Sequence, residues 1–206
     1  MRIWLDEDPC EVDARTVGQA IDAAAAIADG KGRLIVEVVV DDTPWSAGDL
    51  DIEGRLDQVA KEVRMMSADP GTLVIEAFRD TAAVLTEADS LQQEAARQIQ
   101  ADHRTEAMES LARAVDIWMT LQETVLKGAE AVGLNLDEVR VDDSLLSDSI
   151  ARLNDWLLII RNALSDGDQI ALADTLAYEM PRVVKSWQSI LEELITLVEG
   201  SGRTPT

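Results

Sequence analysis

The residues able to do chemistry in this chain are few, and they stand apart from one another. His103 is the single histidine. A metal site would need two or three further ligands from elsewhere, and the carboxylates show no spacing that asks for one, so neither metal nor cofactor is expected. Cys10 is the single cysteine; an internal disulfide and a thiolate zinc site are excluded, and the acidic stretch around Pro9 should raise its thiol pKa. Asp137, Glu138, Asp142 and Asp143 cluster in one connection. They lack the alternating ligand order and the turn glycine of a calcium loop. Gly30-Lys31-Gly32 follows a helix and leads into a strand, the reverse of a phosphate-binding loop, so a helix stop is expected there. No nucleophile elbow, Cys-His pair or dinucleotide fingerprint is present. The expectation is a protein that is not an enzyme.

Charge limits the partners. The 206 residues hold 40 acidic and 18 basic groups, a formal net charge of −22. Residues 1–70 carry 16 acidic and 7 basic groups, net −9, and residues 71–206 carry 24 and 11, net −13, so the acidity is spread along the chain. Such a surface repels phosphate backbones and anionic lipid, which argues against nucleic acid and membrane partners. It favours solubility or a saline environment, or steers a basic partner. No uncharged run approaches the ~20 residues that cross a bilayer, and the segment Met1 to Asp8 turns acidic too early for a signal-peptide core. A cytoplasmic location is expected.

The aromatic residues are the better candidates for function. Trp118 and Trp187 occupy apolar stripes of helical segments, where packing explains them. Trp156 precedes the stripe residue Leu157 and lies off its register, which suggests a helix boundary or an exposed patch. Trp156, Tyr178 and Trp187 are therefore the candidate partner-binding residues, because an accessible indole can anchor a partner.

Hydrophobic periodicity then supplies the elements that must carry these rings, and the fold class is α+β. Residues 1–68 should form a small domain, a three-stranded sheet with one helix. Its strands are Arg2 to Leu5, the β-branched run Leu34 to Val40, and Val63 to Met66; its helix carries Val17, Ala20, Ile21, Ala24, Ala25 and Ile27. The run from Leu34 is apolar almost throughout, so both of its faces should be at least partly covered. Residues 69–200 should form an antiparallel four-helix bundle, with 201–206 a disordered tail. Asp69 and Pro70 mark its first helix start. The four helices are expected over 71–100, 105–132, 144–164 and 169–199. The third carries Leu146, Ile150, Leu153, Leu157, Ile160 and Leu164 in steps of three and four. The fourth carries Ala173, Leu176, Met180, Val183, Trp187, Ile190, Leu194 and Leu197 in the same way. Pro181 lies inside that fourth helix and should bend it, at about 3 kcal/mol if nothing compensates.

The stretch from Ile150 to Gln169, followed by Leu172 to Leu176 and Val183 to Trp187, resembles the last two helices of flagellar filament-protein export chaperones. The segment Ala112 to Leu121 resembles their preceding helix. The resemblance covers roughly 90 residues and rests mainly on amphipathic pattern, which antiparallel bundles share. It implies a bundle that holds an amphipathic segment of an export substrate in its grooves. The leading α+β domain has no counterpart in that family, nor do that family's N-terminal motif residues have a match here.

The functional expectation is a chaperone-like interaction protein that binds another protein or an amphipathic peptide segment. Two alternatives stand beside it: a homodimer paired through the helical face or the sheet's edge, serving as an assembly component, and an enzyme using scattered carboxylates or a cation.

Overall fold

The computed structural model describes residues 1–141 and 144–201, which divide into two compact units, Met1–Leu73 and a second from Val74 onward. Asp142 and Asp143, half of the acidic cluster noted above, lie outside the described residues, as do residues 202–206 of the expected tail.

The first unit contains five strands where three were expected. β1 (Arg2–Leu5), β3 (Leu34–Val40) and β5 (Glu62–Ala68) are the anticipated ones; β2 (Asp8–Pro9) and β4 (Thr43–Trp45) are short additions, and the strand order is β2-β1-β5-β3-β4. Proline and aspartate are depleted in strands, so neither addition carries a strand signal, and both are edge strands, where a missing N–H can face outward. β5 runs parallel to β1 and antiparallel to β3.

Each short hairpin turns on a pair of acidic residues with positive φ, Asp6-Glu7 and Asp41-Asp42. This is the turn geometry that suits the twist of a hairpin. Ile3, Leu5, Val38, Val40, Val63 and Met65 alternate onto one face and meet Val17, Ala20, Ala24 and Ala28 of α1 (Val17–Asp29). Alanine lets the helix lie close to the sheet. The cover over β3 is thinnest at its start. Leu34 and Val36 are 48% and 50% exposed, and the register shifts between Ile35 and Glu37. A one-turn helix, α2 (Ala47–Leu50), interrupts the loop before β5.

The second unit is helical, with its apolar side chains gathered into one core. α3 (Pro70–Gln100) begins as expected, with the Thr72 backbone N–H donating to Asp69 Oδ1 at 2.8 Å. α4 (Arg104–Ala131) follows after Asp102, whose φ is 59°. The polar connection contains a short antiparallel pair, β6 (Arg140–Val141) and β7 (Ser144–Leu145). α5 (Leu146–Asp166) then ends on Gly167, in the left-handed conformation that glycine adopts without a steric cost.

The expected fourth helix is three consecutive pieces: α6 (Gln169–Asp174), a π-helical turn (Thr175–Glu179) and α7 (Met180–Ser201). The widened turn lies directly before Pro181. There the Met180 N–H bonds to the Thr175 carbonyl, five residues back, so the helix absorbs the proline without breaking. Leu176, Met180 and Val184 are all buried, two successive steps of four that a wider turn keeps on one face. Beyond it Leu197, expected inside, is 40% exposed and Val198 is buried instead.

Candidate functional site

The buried column of α5 differs from the expected one, and the difference locates the site. Leu146, Ser149, Leu153, Ile160 and Ala163 are buried, whereas Ile150 and Leu157 are half-buried and Leu164 is exposed. The real seam therefore steps through 146, 149, 153, 156, 160 and 163. Trp156 lies on this seam, not off it. Spacing alone put Ile150, Leu157 and Leu164 on the seam in place of Ser149, Trp156 and Ala163; residues as small as Ser149 and Ala163 can occupy a helix seam as well as large ones.

Along α5, Ser149, Arg152, Leu153 and Trp156 present one face. Along the end of the π turn and α7, Glu179, Arg182, Val183, Ser186, Trp187 and Ile190 present another. Together they line a groove of about 250 Å³. The spacing of three and four brings each set onto its face. Trp187, only 2% exposed, forms part of the floor, and Trp156 is half-buried against the core. Tyr178 is 63% exposed and is not among the lining residues, although its neighbour Glu179 is. The structure thus brings together two of the three candidate rings.

Two guanidinium groups stand on the groove's rim. Arg152 Nη2 donates to Ser149 Oγ at 3.0 Å, and among the described residues no carboxylate forms an ion pair with it. Arg182 Nη1 lies 3.3 Å from Glu179 Oε2, with side chains 77% and 40% exposed, a pair contributing about 0–1 kcal/mol. Neither arginine was singled out in the sequence. The available signal was Arg152 four residues before Trp156 on the same face; Arg182 stands five residues before Trp187 and offered no such spacing.

A second hollow, about 410 Å³, lies on the sheet face of the first unit, with Trp4, Glu7, Glu37, Arg64 and Met66 among its lining residues. Its arginine is already engaged. Arg64 stacks over the Trp4 ring at 5.7 Å and bonds Glu62 at 2.6 Å, and that hydrogen bond holds the Glu62 carboxyl below its usual range.

The other candidates remain separate. His103 precedes α4. The Cys10 thiol is pushed up, chiefly by burial and less by its acidic neighbour Asp8. Among the described residues, no group of three or more His, Cys, Asp and Glu side chains is placed to hold a metal ion, and no helix is long and apolar enough to cross a membrane.

The fold and groove define a two-part α+β protein whose helical unit presents an amphipathic cleft. Residues 76–190 match the family described as a domain of unknown function (DUF8042), and since this is more than half of the chain, the protein belongs to that family. The matched span takes in every residue lining the α5/α7 groove and excludes the sheet. No curated protein and no solved structure matches the chain.

Proposed function

We propose that the protein is a non-enzymatic binding module whose helical unit, acting as an antiparallel bundle, holds an amphipathic segment of a partner protein in the α5/α7 groove. One observation supports this most directly: Trp156 and Trp187 line a single open cleft with apolar walls and a polar rim, the arrangement of an anchor pocket. In its most concrete form the protein is a cytoplasmic chaperone of an export substrate, the role implied by the resemblance of residues 150–187 to flagellar export chaperones. For the homodimer alternative, the helical face is the better supported of the two routes. Both edge strands of the sheet are two or three residues long and carry proline, Pro9 and Pro44, which disfavours pairing through a sheet edge.

Photocrosslinking tests the groove. A benzoylphenylalanine at position 186 should form a discrete adduct with one partner protein in cells of the source organism, and the same group at Asp29 should not. A synthetic peptide of the crosslinked segment should then bind, with Trp156→Ala weakening it at least about tenfold. Equal crosslinking at both positions, or a peptide affinity indifferent to Trp156→Ala, would dismiss this site.

A further inference from the structure

The chemistry of the groove's occupant can be taken one step further, on the basis of the binding reading above. We infer that the segment seated between α5 and α7 is acidic: a helix whose apolar stripe is flanked by carboxylates that meet Arg152 and Arg182. The net charge of −22 points the other way, toward a basic partner. At about 8 Å of Debye screening in physiological salt, however, the groups within contact distance decide the fit, and distant ones mainly alter the encounter rate.

Within the groove the charged lining residues are Arg152, Arg182 and Glu179, a local excess of positive charge on an otherwise acidic protein. Arg152 is held at the rim by Ser149 Oγ, itself on a buried serine, and has no carboxylate partner among the described residues. Among the described residues Arg182 is paired only with Glu179, one helical turn earlier on the same strip. That exposed pair is weak enough for an incoming carboxylate to displace. A guanidinium fork suits a carboxylate's two oxygens. A lysine-rich segment would meet both arginines as it seated its apolar side chains.

Selection from a display library of random amphipathic helices, with binders of the Trp156→Ala protein removed first, tests the assignment. The expected outcome is enrichment of Asp and Glu beside the apolar anchors. A selected acidic peptide should bind Arg152→Glu/Arg182→Glu about tenfold more weakly, and its Lys-substituted counterpart should gain on that variant. Melting temperature and helical signal identify a variant that has failed to fold, and Arg152→Gln/Arg182→Gln then supplies the same comparison. Groove-dependent peptides enriched in Lys and Arg, or without charge preference, would overturn the acidic assignment and leave the binding reading standing. No groove-dependent binder at all would overturn both. A sedimentation coefficient that rises with concentration and is restored to monomer by Trp156→Ala would assign the groove to a second copy of the chain instead.

Discussion

The five tryptophans behave differently in the two units. In the sheet unit each ring lies under an arginine: Arg55 sits 4.8 Å from the Trp45 ring centre and Arg64 5.7 Å from that of Trp4. In the helical unit Trp118 and Trp187 are buried, and Trp156 faces a groove whose arginines lie at the rim. The contrast extends to the packing. Alanines bring α1 onto the sheet; α3 and α4 bury alanines too, but set them between large side chains such as Phe78, Leu85, Trp118 and Leu121. A small domain has little apolar area to bury, so polar contacts contribute a larger share of its stability.

The comparison breaks most visibly if bulk proves unimportant in the helical unit. Leu176, fully buried in the π turn, should lose about 2–5 kcal/mol on replacement by alanine, as should Trp187, in denaturant titrations. A loss under 1 kcal/mol would mean that the core is looser than its burial implies.

Charge should matter more in the sheet unit. Asp6 Oδ1 and Oδ2 accept from Ser67 N and Oγ, each at 2.6 Å, and Arg33 Nε donates to the same hydroxyl at 2.7 Å. The Ser67 bonds, first the side-chain one and then the backbone one, hold the Asp6 carboxyl below its ordinary 3.8. A carboxyl depressed in the folded state stabilises it fully above the unfolded pKa and loses that contribution as pH falls through the folded value. Asp6→Asn, which keeps the shape and tolerates positive φ, should therefore cost about 1–2 kcal/mol at neutral pH. The gap to the parent should close below about pH 4, as read from melting curves. A gap independent of pH would assign Asp6 a purely steric role.

The smallest effect sharpens the account of packing. A Cβ on Gly128 of α4 would stand 2.8 Å from Phe78 Cε1 and 3.2 Å from Val74 Cγ1, and Phe78 is fully buried. Alanine gains about 1 kcal/mol of helix propensity there but forces a crowded core, which costs about 1–3 kcal/mol. Gly128→Ala should lower stability by about 1 kcal/mol; a gain would show that Phe78 has room to move.

Local chemistry was legible wherever a residue acts on its own neighbours. Asp69 and Pro70 start α3 and the β-branched run from Leu34 forms a strand, because capping and side-chain branching operate within a few residues. Choosing between two adjacent columns of a helix does not work in this way. Leu157 and Trp156 are both apolar, and only the neighbouring helices decide which one faces the groove. The short edge strands were hidden for the same reason, since Pro9 and Pro44 are extended because a partner strand lies alongside.

From its residues alone this chain determined an acidic α+β protein with a strand-rich beginning and long amphipathic helices, since composition, capping and periodicity are properties of nearby residues. Tertiary structure decided the α5 seam, the accommodation of Pro181 in a π turn, and the placing of Arg152 and Arg182 on one groove with two indoles. Those outcomes depend on which surfaces share a boundary, and residues about thirty positions apart share one only after the chain has folded.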